Sequence, residues 1–145
     1  MTPLQRTSKL AGMKGHARNL MSTPVKSVSP GTPLSDIALL LAEEHIGGVP
    51  VTDGEEHVLG IVSEADIMNA LLKGLPLRTL AQEVMTSPVY TVDEFDLTDE
   101  VMELFRQHRI HHLPVVREGR LLGIITPSDV IRFLARELPE TGRVG

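Results

Sequence analysis

The chain has 145 residues, 41% of them hydrophobic, and a formal net charge of −5; that supports one ordinary core, and no apolar run approaches the roughly 18 residues a membrane span needs. Cysteine is absent, which excludes disulfides and thiolate chemistry, and without an apolar secretory stretch at the start the expected location is cytoplasmic. The acidic balance disfavours nucleic acid as a partner, because phosphates are held by clustered Lys and Arg.

Charge is unevenly placed. Arg6, Lys9, Lys14, Arg18 and Lys26 precede residue 36 with no acidic residue among them, so the rest of the chain carries −10. Residues 1–15 therefore read as a basic arm, either a frayed tail or a contact for an anionic partner. A lead-in turn over 15–21 and a short β-branched segment over 25–28 come next. Thr32-Pro33 supplies a cap residue followed by proline at the first helical position, and Leu34, Ile37, Ala38 and Leu41 recur at helical spacing. Two strands joined by a turn at Asp53-Gly54 follow, then a second helix from Ser63 to Leu72. Gly74 and Pro76 end that helix.

The second half repeats the first. Met21-Ser22-Thr23-Pro24-Val25 returns as Met85-Thr86-Ser87-Pro88-Val89, residues 46–51 (IGGVPV) return as 110–115 (IHHLPV), and 60–66 (GIVSEAD) return as 123–129 (GIITPSD). The offset is 64 residues as far as Pro50/Pro114 and 63 from Leu59/Leu122, so one residue is inserted in the first hairpin. The second copy has its segment at 89–92, a helix with Leu97, Val101, Leu104, Phe105 and His108 after Asp96, a turn at Glu118-Gly119, and a last helix from Thr126 to Leu134. The expected fold is α/β (α+β), two pseudo-symmetric β-α-β-β-α repeats packed sheet to sheet. Its parts are the arm 1–15, repeat 16–74, linker 75–78, repeat 79–138 and tail 139–145. A repeat of this length is a supersecondary unit that needs its twin to bury its apolar face.

Chemistry concentrates at the strand-to-helix junctions, where Ser63 precedes Asp66 and Thr126 precedes Asp129 by three positions. Two readings stand. Ser/Thr-x-x-acid is a form of capping box, in which hydroxyl and carboxylate satisfy free backbone N–H groups. A helix N-terminus also suits a phosphate, an aspartate in the first turn can accept from a ribose diol, and Gly60 and Gly123 make room for a flat base or a neighbouring strand. Duplicated, equivalent sites favour binding over catalysis. No nucleophile is paired with a base and no glycine-rich phosphate loop occurs, so no enzyme is expected.

Met-x-x-Pro-Val, helix, hydrophobic-Pro-Val, hairpin and Gly-hydrophobic-hydrophobic-Ser/Thr-x-x-Asp, present twice over residues 19–136, resemble a tandem pair of CBS domains, the Bateman module. The resemblance implies a regulatory module that binds AMP, ADP, ATP or S-adenosylmethionine in clefts between the repeats, with no obligatory cofactor. It implies that Ser63 and Thr126 face phosphate, that Ser128 is also ligand-binding, that Asp66 and Asp129 hold ribose hydroxyls, and that adenine lies against backbone near Val25 and Ser27 and near Val89, Tyr90 and Thr91. The stretch at 110–114 is similar to the γ subunit of AMP-activated protein kinase, whose matching positions hold a histidine and an arginine against phosphate. Carried over, His111 and His112 become phosphate contacts, with Arg109 and Arg132 as helpers, and the two clefts become unequal. A solvated helix end, where His108 and His111 oppose the C-terminal dipole, and a metal site of His108, His111 and His112 are the other readings of these imidazoles.

Two functions remain open: a nucleotide sensor that shifts a dimer or partner interface, and a ligand-free dimerisation or interaction module whose aspartates only cap helices. A disc-shaped homodimer is what the resemblance implies, with Leu39, Leu40, Leu72, Phe133 and Leu134 as interface or core residues, and regulation then acts on a separate protein.

Overall fold

The computed structural model describes residues 14–138; Arg6 and Lys9 of the basic arm and the tail 139–145 lie outside them. The elements in chain order are α1 (Ala17–Leu20), α2 (Leu34–Glu44), β1 (Gly48–Thr52), β2 (Val58–Ser63), α3 (Glu64–Leu72), α4 (Ala81–Val84), β3 (Val92–Asp93), α5 (Thr98–His108), β4 (Leu113–Arg117), β5 (Arg120–Ile125) and α6 (Pro127–Glu137). This is a mixed α/β architecture; the second half shows the β-α-β-β-α order in full, and in the first half the opening strand is reduced to a single bridge at Val28. Among the described residues no helix is long and apolar enough to cross a membrane.

Two compact units are present. The central unit, named for its place in the sequence, comprises residues 24–90 and 118–121; the flanking unit comprises the described parts of the chain on either side, 14–23, 91–117 and 122–138. The lead-in segments are thus exchanged between repeats. Ala17 and Leu20 of α1 join Val92, Val101, Leu113, Val115, Ile125, Val130 and Phe133 in the core of the flanking unit. Ala81 of α4 joins Leu34, Ile37, Leu41, Val49, Val51, Val62 and Ala70 in the central unit.

In the central unit β1 and β2 are antiparallel, with Gly48 opposite Ser63 and Val51 opposite Gly60. Every residue of β1 is buried, so this strand reads as a continuous apolar run rather than an alternating one. Of the expected segment 25–28 only Val28 pairs, in parallel with Val51: its N–H donates to the Pro50 carbonyl at 3.0 Å and its carbonyl accepts from Thr52 at 2.9 Å. In the flanking unit the matching strand is β3 alone, parallel to β4 through Val92–Val115 and Asp93–Val116, in a sheet of order β3-β4-β5.

The first helix of each repeat begins one residue later than the spacing suggests. Pro33 is the cap residue of α2, and the Thr32 hydroxyl turns back to accept from Ser29 N–H at 3.1 Å. The N–H groups of Leu34 and Ser35 are satisfied by the carbonyls of Thr79 at 2.8 Å and Leu77 at 3.1 Å. In α5 the cap is Leu97; the Asp96 carboxylate accepts from Asp93 N–H at 2.9 Å and Thr98 N–H donates to the Gly15 carbonyl at 3.2 Å. Backbone from the lead-in regions takes the place of a side-chain cap. At the other end, His45 and Arg109, equivalent in the two repeats, cap α2 and α5 in the left-handed region, with φ of 53° and 50°.

Buried in the flanking unit, Glu94 accepts from Arg117 Nε at 2.6 Å and Nη2 at 3.1 Å. Arg117 holds its carboxyl below the usual glutamate range, against the opposing effect of burial. The apolar residues left open between core and surface now divide. Phe133 lies in a core and Leu40 packs against one, whereas Leu39, Leu72 and Leu134 are exposed.

Candidate functional site

Each unit presents one strand-to-helix junction built to the same plan. In the central unit β2 stays extended through Ser63, at φ −106° and ψ 171°, and α3 starts at the next residue. The Ser63 hydroxyl accepts from Asp66 N–H at 3.2 Å, and Asp66 Oδ2 accepts from Ser63 N–H at 2.8 Å and from its hydroxyl at 3.0 Å. The second carboxylate oxygen, Oδ1, accepts from the Thr86 hydroxyl at 3.0 Å. Thr86 is brought there by a pair of main-chain bonds, Ile61 N–H to Thr86 O at 3.0 Å and Thr86 N–H to Ile61 O at 2.8 Å.

The flanking unit repeats the arrangement with one addition. Asp129 Oδ2 accepts from Thr126 N–H at 2.8 Å and from the Thr126 hydroxyl at 3.1 Å. Its Oδ1 accepts from the Ser22 hydroxyl at 2.5 Å and from Arg132 Nη2 at 3.0 Å. Ser22 is held by Ile124 through bonds of 2.8 and 3.2 Å. Asp129 is buried, whereas Asp66 is half-buried.

The capping box is therefore present at both junctions, and what Gly60 and Gly123 admit is a neighbouring main chain. A Cβ on Gly60 would lie 2.8 Å from the Thr86 carbonyl oxygen, and one on Gly123 would lie 3.0 Å from that of Ser22. Ser22 and Thr86 are not singled out by sequence reasoning, although both stand second in the repeated Met-x-x-Pro motif and both carry a hydroxyl, which is the available signal.

The remaining sequence-derived residues are placed as follows. Ser128 is exposed in the first turn of α6; Val25 and Val89 are half-buried; Ser27, Tyr90 and Thr91 are exposed. Thr52 donates its hydroxyl hydrogen to Ser27 Oγ at 3.4 Å. Arg109, His111 and His112 occupy the connection between α5 and β4, with Arg109 and His111 exposed and His112 half-buried. None of them is a hydrogen-bond partner of Asp129, whose partners are Thr126, Ser22 and Arg132. Among the described residues no three His, Asp or Glu groups are gathered as a metal would require.

The CBS domain matches the chain twice, over residues 17–73 and 81–136. Hypoxic response protein 1 of Mycobacterium tuberculosis (strain CDC 1551 / Oshkosh) is 31% identical over 126 residues, which cover 86% of this chain and 85% of that protein. The CBS domain pair of protein MJ0100, solved in complex with 5-methylthioadenosine and S-adenosyl-L-methionine, is similar with a TM-score of 0.78 at 25% identity, covering 86% of this chain and 99% of that one. CBSX2 in complex with AMP is similar with a TM-score of 0.74 at 26% identity, covering 84% and 97%. The chain belongs to the CBS-domain family and carries a tandem pair of CBS domains.

Proposed function

We propose that this protein is a regulatory module that binds an adenosine-containing ligand, AMP, ADP, ATP or S-adenosylmethionine, at its strand-to-helix junctions and passes the event to a dimer or partner interface. The observation that carries this reading is the duplicated junction: a strand end, a hydroxyl at the cap and an acid in the first turn, with a second hydroxyl-bearing segment laid beside them. The AMP complex of CBSX2 and the S-adenosyl-L-methionine complex of the MJ0100 pair support it.

In this proposal Asp66 and Asp129 accept from ribose hydroxyls, which replace the protein hydroxyls now bound to their Oδ1 atoms. Ser63, Thr126 and Ser128, at helix N-termini, meet phosphate, as do Arg109, His111 and His112. Main chain near Val25 and Ser27 and near Val89, Tyr90 and Thr91 borders the adenine. No catalytic step is involved. The assembly is a homodimer that covers exposed leucines such as Leu39, Leu72 and Leu134, and the regulated partner is a separate protein.

The test is calorimetric titration with AMP, ADP, ATP and S-adenosylmethionine, repeated on Asp66→Ala and Asp129→Ala. Micromolar binding that one substitution removes is the expected result. Silence with all four ligands supports the second reading, a ligand-free interaction module, which is favoured by the fact that both carboxylates already complete capping boxes.

A further inference from the structure

An ionised carboxylate offers about four lone-pair directions to donors. Asp129 has four donors in place: the Thr126 N–H and hydroxyl on Oδ2, and the Ser22 hydroxyl and Arg132 guanidinium on Oδ1. Asp66 has three: the Ser63 N–H and hydroxyl on Oδ2, and the Thr86 hydroxyl on Oδ1. The difference is one residue. The repeat-equivalent of Arg132 is Asn69, which is exposed and brings a short neutral amide instead of a guanidinium.

We infer that Arg132 is a latch on Asp129, so that the two junctions are unequal and Asp66 carries the one ready to receive a ribose diol. The inference rests on the proposed nucleotide reading and adds the residue that ranks its two sites. A diol donates two hydrogens. At Asp66 it takes a vacant lone pair and displaces one neutral hydroxyl. At Asp129 it must displace both a hydroxyl and a charge-assisted donor, the stronger kind of bond. The guanidinium also neutralises part of the charge that makes Asp129 a good acceptor. Because the Arg132 side chain is largely exposed, solvent weakens the pair, so the latch is expected to change affinity by about tenfold rather than to close the site outright.

The test is titration of the full-length protein and of Arg132→Asn, which installs the residue found in the first repeat, with AMP. The unmodified protein is expected to bind at a high-affinity site that Asp66→Ala removes. Arg132→Asn is expected to strengthen the second site by about tenfold, and this gain survives in an Asp66→Ala, Arg132→Asn double variant. Asn69→Arg, the reciprocal change, is expected to weaken the Asp66 site. Unchanged or weakened binding in Arg132→Asn would overturn the latch, the latter making Arg132 a phosphate contact instead. The latch is overturned equally if Asp129→Ala, and not Asp66→Ala, removes the tighter site in a protein that remains folded by circular dichroism. Absence of binding in both the unmodified protein and Arg132→Asn, for all four adenosine compounds, would instead overturn the nucleotide reading itself.

Discussion

Gly60 sits so close to Thr86 that a Cβ on the glycine would stand 2.8 Å from the threonine carbonyl oxygen, an atom already fixed by the N–H of Ile61. At both glycines the nearest atom would be a flexible methionine sulfur at 2.7 Å, of Met85 at Gly60 and of Met21 at Gly123, but at Gly123 the nearest main-chain oxygen, of Ser22, stands farther off at 3.0 Å. Gly60→Ala is accordingly expected to destabilise the protein by about 1–3 kcal/mol, and Gly123→Ala by less. Urea denaturation of the two variants checks this, and equal losses would contradict it.

The caps are expected to contribute separately from any ligand. Ser63→Ala and Thr126→Ala each remove a bond to the N–H of the aspartate three positions on, at a cost of about 1 kcal/mol. Asp129→Ala should cost more than Asp66→Ala, because Asp129 is buried and the Thr126 donors it leaves are less open to water, a buried donor without an acceptor costing about 1–3 kcal/mol, whereas the exposed Ser22 and Arg132 turn to solvent. Thermal unfolding without ligand measures both, and the reverse order would mean that the buried network at Asp129 is not what holds the junction.

Local spacing makes much of this readable. The capping boxes at Ser63 and Thr126 reach only three residues along the chain, and so does the helical step from Asp129 to Arg132. The start of α2 is harder to place: Thr32 has the chemistry of a cap, whereas the N–H groups of Leu34 and Ser35 find carbonyls of Thr79 and Leu77, far along the chain and beyond local rules. The exchange of lead-in segments is hidden for the same reason. Residues 15–21 and 79–85 each contain a four-residue helix with a buried alanine, and nothing within either says which core will take it. Gly60 announces a close approach without saying of what.

The Glu94–Arg117 pair gives a pH dependence of known sign. Arg117 lowers the Glu94 carboxyl from its ordinary 4.5, so near and below that value the unfolded chain binds more protons than the folded one. The stabilisation is present above pH 4.5 and is lost as the pH falls through the lowered folded value. Arg117→Met is expected to flatten the acid limb of stability as the pH falls below 4.5, read as denaturation midpoints against pH. An unchanged acid slope would show that Arg117 does not set the Glu94 charge.

His45 and Arg109 hold a backbone conformation that costs side-chain-bearing residues roughly 1–2 kcal/mol and glycine almost nothing. Part of that gain is offset by the greater freedom glycine gives the unfolded chain. His45→Gly and Arg109→Gly are expected to raise stability by up to about 1 kcal/mol. A drop in melting temperature in either variant would mean that its side chain contributes more to the fold than its backbone strain removes.

The exchanged segments also set an order of events in time. The central unit is almost wholly one uninterrupted stretch, residues 24–90, while the flanking unit is split around it. On a ribosome, where domains fold as they emerge, the stretch 24–90 is nearly complete in itself, lacking only the 118–121 hairpin tip, before most of its counterpart exists. Ala17 and Leu20, made first, must wait for Val130 and Phe133, near the end of the described chain, before they have a core to enter. The first of the described helices to be synthesised is thus among the last to find its place.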